Sequence, residues 1–139
     1  MQLAPLAPLP PLAVRALRRA GFPVRAWNRS PAKAAGLAAE GAQIMDSARA
    51  AATDADILIC MLSDGPTCTE VLFGDNGAAW ALRPGALVIV MSSIPVDVAT
   101  DHARRCAERG LGYLDAPVSG GERGAREGNL AIMGRGPDR

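Results

Sequence analysis

The sequence predicts a doubly wound α/β domain built on a parallel sheet. Three apolar runs rich in β-branched residues, Ile57–Leu62, Ala86–Met91 and Leu130–Met133, have the composition of buried strands. Stretches with helix-capping signals lie between strands. Such alternation of strands and helices is typical of βαβ units, whose crossovers are right-handed.

The elements of the first third follow from local signals. A helix is predicted over Leu12–Ala20, because a glycine follows it and acts as a C-cap. The short apolar stretch Pro23–Trp27 predicts a strand. A second helix is predicted over Pro31–Glu40, with Ser30 as its N-cap and proline at its first position.

The remaining elements carry similar signals. Asp46 or Ser47 is the predicted N-cap of a short helix over Ala48–Thr53. A longer helix is predicted over Val96–Arg109, since glycine follows it. The segment Gly112–Ala116 then predicts one more strand.

The two ends of the chain depart from this pattern. Residues 1–11 are a Leu/Ala/Pro repeat, and proline resists both the interior of a helix and a central strand. We expect them to be a Pro-rich, irregular segment, extended or disordered. Residues 12–139 form the predicted domain, and Gly134–Arg139 follow its last predicted strand without a closing helix.

Composition disfavours several classes of function. The 15 Lys and Arg residues against 14 Asp and Glu leave a net charge of +1, so nucleic acid is not an expected partner. The longest apolar runs are about six residues, too short to span a membrane. Cys60, Cys68 and Cys106 are unpatterned, which favours a reduced, cytoplasmic protein without a metal site. His102 is expected to be solvated, on the polar side of its helix.

The segment after the Pro23–Trp27 strand carries the clearest ligand signal. Ligands of a doubly wound sheet bind beyond the carboxyl ends of the strands, and an acidic residue here would read the ribose hydroxyl of NAD. The sequence has instead neutral Asn28, the planar cation Arg29, the hydroxyl of Ser30 and, nearby, Lys33. These residues favour a 2′-phosphate, and therefore NADP, over NAD. The alternative is a surface arginine beside an ordinary N-cap.

Three more turns with hydroxyl side chains follow predicted strands. Residues 63–67 and 92–95 could line a cofactor cleft or serve only as helix caps. In the third turn, Gly120 and Gly121 leave backbone amides unshielded, and Ser119 adds a hydroxyl. This group suits a substrate carboxylate, and a flexible Gly-Gly turn is the alternative.

These segments, in this order, resemble the β-hydroxyacid dehydrogenase family. The family includes 3-hydroxyisobutyrate dehydrogenase and tartronate semialdehyde reductase and is related to 6-phosphogluconate dehydrogenase. The resemblance covers about residues 12–133, roughly the first half of a typical member. It rests on Trp27-Asn28-Arg29-Ser30-Pro31, Asp56–Asp64, Met91-Ser92-Ser93-Ile94 and, most specifically, Asp115-Ala116-Pro117-Val118-Ser119-Gly120-Gly121.

The resemblance implies the Rossmann-like cofactor domain of an oxidoreductase. The family reaction is hydride transfer between NADP and a small 3-hydroxy acid or its semialdehyde. A cytoplasmic location is expected, and a homo-oligomer is compatible with the family. By resemblance, Asn28, Arg29, Ser30 and Lys33 bind the 2′-phosphate, Leu62, Ser63 and Thr67 line the adenosine ribose, Ser93 lies near the nicotinamide, and Ser119, Gly120 and Gly121 hold the substrate carboxylate.

Two features depart from the family pattern. The three glycines of its phosphate-binding turn would fall at Pro5, Ala7 and Pro10, so the first strand and the glycine turn are expected to be missing or degraded. The family's catalytic lysine lies beyond this domain, and Lys33 is the only lysine here. We therefore assign no catalytic residue and do not expect activity from this chain alone. A non-catalytic interaction or regulatory module derived from the fold is the alternative function.

Overall fold

The computed structural model describes residues 2–6, 11–120, 123–124 and 127–136. None of the helices in this part of the chain is long and apolar enough to cross a membrane. In chain order the elements are β1 (Leu3–Leu6), α1 (Pro11–Arg19), β2 (Arg25–Ala26), α2 (Pro31–Ala39), β3 (Gln43–Ile44), α3 (Ala48–Ala52), β4 (Ile57–Cys60), α4 (Gly65–Phe73), a 3₁₀ helix (Ala78–Ala81), β5 (Leu87–Val90), α5 (Val96–Glu108), β6 (Gly112–Asp115), β7 (Val118–Ser119) and β8 (Ala131–Ile132).

A parallel sheet forms the centre of the fold. Four strands pair in the order β1, β4, β5, β6, with Leu58 opposite Val88 and Val88 opposite Tyr113. The parallel pair β2 and β3 lies on the outer side of β1. In space the strands therefore run β3, β2, β1, β4, β5, β6, which is the order of a doubly wound dinucleotide-binding sheet. The predicted fold class is confirmed.

Helices cover both faces of this sheet. On one face, Leu58 and Val88 pack with Leu72 of α4 and with α3 and α5 in the larger core. On the other face, Val14 of α1 and Leu37 of α2 form a second core against the partly buried side of β4. Side chains alternate across a strand, so two buried faces require the continuous apolar runs found in the sequence.

The first strand differs from the expectation. We expected residues 1–11 to be irregular and the first strand to be missing or degraded, yet Leu3–Leu6 pair in parallel with β4. The Gln2 carbonyl accepts from the amide of Ile57, and hydrogen-bonding direction alternates along a strand. The backbone N–H and C=O groups of Ala4 and Leu6 therefore point toward β4. The nitrogen of Pro5 faces β2, with which β1 forms no ladder, so its missing hydrogen breaks no bond.

The last predicted strand is not buried. Leu130–Met133 was predicted as a core strand, but only Ala131–Ile132 pair, and they pair antiparallel with β7. Ile132 and Met133 are both 59% exposed. A short apolar run specifies a strand without specifying what covers it, and this one pairs with a strand of only two residues.

His102 is a second correction. Its side chain is fully buried instead of solvated, because Ala99, His102, Ala103 and Cys106 share the inner face of α5. The small alanines leave room for the imidazole against Phe73, 5.2 Å away between ring centroids.

The hydrogen bonds of His102 indicate its tautomer. The Thr69 hydroxyl donates to the Gly65 carbonyl, so it accepts from His102 Nε2 at 2.7 Å. The other ring nitrogen, Nδ1, is buried without a partner among the described residues. A proton added at Nδ1 would therefore lack an acceptor.

Stability is expected to fall below pH 6.5 because of this histidine. Burial lowers the pKa of His102 from 6.5; Asp101 opposes that shift and Arg105 adds to it. On acidification the unfolded chain takes up this proton first, so the contribution is complete above pH 6.5 and declines until the lower folded-state pKa is reached. Urea unfolding at about pH 7.5 and about pH 5.5 measures the decline. A His102→Gln variant with an equally large decline would contradict this assignment.

Candidate functional site

The turns after the parallel strands meet at one edge of the sheet. Two interactions show that these turns are close together. The amide of Leu62, after β4, donates to Ser92 Oγ, after β5, at 2.7 Å. Arg29, after β2, lies close enough to Asp64, after β4, to lower the pKa of its carboxyl. The structure therefore brings three of the predicted ligand turns together.

The turn after β2 is held by its own backbone. Asn28 Oδ1 accepts from the amide of Ser30 at 2.9 Å, which turns the chain into α2. Ser30 is the N-cap residue, as predicted, but its side chain makes no capping hydrogen bond. By contrast, Ser47 Oγ accepts from the Ala50 amide in α3. The first turn of α2 is thus left without a side-chain cap.

The cations of this turn form no ion pair within the described part of the chain. Arg29 and Lys33 are exposed, and neither forms an ion pair with any residue in the described ranges. Elsewhere, Arg15 and Arg104 each hold a carboxylate at 2.6 Å. Two exposed cations beside a helix start without a side-chain cap make a local field that favours an anion.

The turn after β4 lies near the cations of the turn after β2. Asp64 caps α4, because its Oδ1 accepts from the Thr67 amide at 2.8 Å. The Ser63 hydroxyl donates to Asp64 Oδ2 at 3.1 Å. The pKa of Asp64 is lowered mainly by the Thr67 hydrogen bonds, and less by Ser63 and Arg29, so its carboxylate stays ionised. Leu62 is partly buried, and Ser63 is exposed.

The turn after β5 contains a residue that the sequence reasoning did not single out. Ser93, predicted to lie near the nicotinamide, is exposed, whereas its neighbour Ser92 is 5% exposed. Val88, Val90 and Ser92 share one face of the strand and its extension. This period of two was visible in the sequence and was the signal for a buried Ser92.

The predicted substrate turn begins at the end of β7, whose last residue is Ser119. Ser119 and Gly120 are exposed, and Gly121 lies outside the described residues. Gly120 has φ +123°, a conformation that favours glycine, and an added Cβ would lie 3.3 Å from Leu130. Within the described ranges, no hydrogen bond or ion pair joins Ser119 to the turns after β2, β4 and β5.

The predicted pyrophosphate turn is described only in part. Pro5 lies in β1, while Ala7 and Pro10 lie outside the described residues. Pro11 begins α1, so the first position of this helix has no amide hydrogen to offer.

Two cavities lie away from the predicted residues. The larger, about 240 Å³, lies between α5 and β6 and is lined by Tyr113 and Asp115 among others. Burial raises the pKa of Asp115, and Arg135 opposes that shift. The smaller, about 190 Å³, is lined by Trp27 and Glu70 among others.

Comparison with known proteins gives a consistent result. Residues 11–139 match the family described as the NAD binding domain of 6-phosphogluconate dehydrogenase. The 2-hydroxy-3-oxopropionate reductase of Escherichia coli (strain K12) is 43% identical over 123 residues, which are 88% of this chain and 41% of that protein. The chain thus spans less than half the length of this curated relative.

Two solved structures share the fold. The 3-hydroxyisobutyrate dehydrogenase of Mycobacterium tuberculosis, with L-serine, has a TM-score of 0.90 and 34% identity, over 99% of this chain and 47% of that one. Psf3 in complex with NADP+ and 2-OPP has a TM-score of 0.88 and 25% identity, over 97% of this chain and 49% of that one. The family match over residues 11–139, together with these relatives, shows that the chain belongs to the β-hydroxyacid dehydrogenase family and contains its NAD-binding domain.

Proposed function

We propose that the chain binds NADP in preference to NAD, as the cofactor domain of an oxidoreductase acting on a small 3-hydroxy acid or its semialdehyde. The observation that carries this proposal is the exposed Arg29 guanidinium, which forms no ion pair within the described ranges, beside the start of α2, which has no side-chain cap. A 2′-phosphate would accept hydrogen bonds from Arg29, from the Ser30 hydroxyl and from the first-turn amides of α2. Lys33, one turn on, adds charge.

Discrimination against NAD follows from the same turn. A domain that prefers NAD places a carboxylate here to accept from the ribose 2′-hydroxyl. Asn28 has no carboxylate, and its Oδ1 is already engaged by the Ser30 amide. An NAD ribose would therefore offer Arg29 no phosphate to bind.

The remaining cofactor contacts are assigned by position. Leu62, Ser63 and Thr67 would line the adenosine ribose, and the exposed Ser93 hydroxyl would lie beside the nicotinamide. Pro5, Pro10 and Pro11 have no amide hydrogen, so we assign no pyrophosphate contact to them. When bound, NADP supplies the hydride acceptor, and the protein residues orient it.

The experiment that tests this proposal is a calorimetric titration of the chain with NADP+ and, separately, with NAD+. Micromolar binding with NADP+ favoured supports it. Binding of neither cofactor by a chain that melts cooperatively contradicts it and favours the interaction module. The exposed Ile132 and Met133 are the observation that supports such a module.

Ser119, Gly120 and Gly121 are proposed to hold the carboxylate of the substrate. Ser119→Ala is expected to leave the Kd for NADP+ within about twofold of the unmodified chain, because this hydroxyl makes no described contact with the cofactor turns. The same titration measures it. A loss of NADP+ affinity of tenfold or more, about 1.4 kcal/mol, would move Ser119 to the cofactor site.

A cytoplasmic location is also part of the proposal. Its support is that Cys60, Cys68 and Cys106 are all buried and unpaired, as in a protein from a reducing compartment.

A further inference from the structure

One buried hydroxyl joins the turns that flank the proposed cofactor. Ser92 and His102 are the buried polar side chains in the described ranges. Ser92 Oγ accepts from the Leu62 amide at 2.7 Å and from the Cys68 thiol at 3.4 Å. A single oxygen therefore binds the turn after β4 and the helix α4 to the turn after β5.

This oxygen lies where the strand ladders stop. The last backbone bond between β4 and β5 near this edge runs from the Met91 amide to the Cys60 carbonyl. Beyond it, the Leu62 amide turns inward and finds its acceptor on a side chain. Without Ser92 Oγ, the partly buried Leu62 amide would have only the nearby Cys68 sulfur as an acceptor, and sulfur is a weak acceptor, so losing the serine oxygen is costly.

The bond positions the neighbours of Leu62 and Ser92 that are proposed to contact the cofactor. Ser63, next to Leu62, is exposed, and Ser93, next to Ser92, is exposed on the adjoining turn. The distance between Leu62 and Ser92 therefore sets the spacing between the two hydroxyls proposed to face the ribose and the nicotinamide. Cys68, which lies in α4, donates to the same oxygen, and Asp64 is the N-cap of that helix.

We propose that Ser92 is a positioning residue of the dinucleotide site, which holds the turns after β4 and β5 at the spacing that the cofactor requires without touching the cofactor. This inference rests on the proposed function. It predicts that Ser92 affects NADP and NAD equally, because it acts on the shared part of the site and not on the 2′-phosphate.

The test compares Ser92→Ala with Ser92→Thr and with Ser47→Ala in the full chain. Ser92→Ala is expected to raise the Kd values for NADP+ and NAD+ by the same factor, about tenfold, and to leave their ratio unchanged. Ser92→Thr keeps the hydroxyl and is expected to restore binding. Ser47→Ala is the matched control, since it also removes a serine that accepts one backbone amide, but in α3. It is expected to lower the melting temperature without changing either Kd.

Each result has a definite reading. Unchanged Kd values in a folded Ser92→Ala variant overturn the inference and leave the proposed function standing. A change in the ratio of the two Kd values also overturns it. If Ser92→Ala does not fold, Ser92→Cys takes its place, because it keeps the size of the side chain but offers only a weak acceptor. It is expected to weaken the binding of both cofactors equally, and wild-type affinity in that variant overturns the inference. If the unmodified chain binds neither cofactor, the proposed function fails and the inference fails with it.

Discussion

Arg29→Asp is expected to raise the Kd for NADP+ by about 100-fold and to change the Kd for NAD+ by less than about threefold. The guanidinium has no described ion-pair partner, so its net interaction is available to the 2′-phosphate. Aspartate removes the charge-assisted hydrogen bonds and places a negative charge near Asp64 and the incoming phosphate. Isothermal titration of the variant with each cofactor measures both changes.

Arg49→Asp is the matched control for this experiment. Arg49 is exposed on α3, so the substitution makes the same change in net charge away from the proposed 2′-phosphate site. It is expected to leave the preference for NADP+ intact. Equal losses for NADP+ and NAD+ in Arg29→Asp would show that Arg29 supports the fold or the whole site, and would refute its role in reading the 2′-phosphate.

Leu72→Ala is expected to lower the free energy of unfolding by about 3 kcal/mol. Leu72 lies in α4, is fully buried, and packs in the larger core with Leu58 and Val88 of the sheet. The substitution removes apolar surface from the core and leaves a cavity that close-packed neighbours fill only in part. Urea denaturation, followed by circular dichroism, measures the change.

Val96→Ala provides the comparison for this core substitution. Val96 is 72% exposed at the start of α5, so truncating it removes little buried surface. Its effect is expected to stay within about 0.5 kcal/mol. If Leu72→Ala cost no more than Val96→Ala, the larger core would not be packed as the structure describes.

Strong local patterns predicted the centre of the fold. The runs that became β4 and β5 are apolar on both faces and rich in β-branched residues, which favours a buried strand. The N-cap and proline at the start of α2 likewise placed that helix correctly. β3 was not predicted, because its two residues are both exposed and carry no apolar pattern.

Weak or misleading local signals failed where a partner decided the outcome. Prolines argued against β1. Whether a proline disrupts a strand depends on which neighbouring strand its nitrogen faces, and only the tertiary structure shows this. The apolar composition of Leu130–Met133 suggested burial, but this segment forms part of an exposed antiparallel pair of strands. His102 was polar by type, yet it occupies the inner face of its helix beside Phe73.

The candidate site divides in the same way. Asn28, Arg29 and Ser30 were recognisable in sequence because their chemistry and their place after a strand are local properties. The proximity of Arg29 to Asp64 depends on residues about 35 positions apart, brought together by the crossover of the sheet. The hydrogen bond of Ser92 could not be predicted for the same reason, since its partner Leu62 is 30 positions away.

The apolar periodicity and the helix caps predicted the order of buried strands and helices, and with it the doubly wound class. These signals depend on a few neighbouring residues, so they can be recognised without knowing the tertiary structure. Burial of a polar side chain, the pairing of a charge and the acceptor of a turn amide were decided only by tertiary structure. Each of these depends on the free energy of desolvation, which is determined by what packs against the group in space.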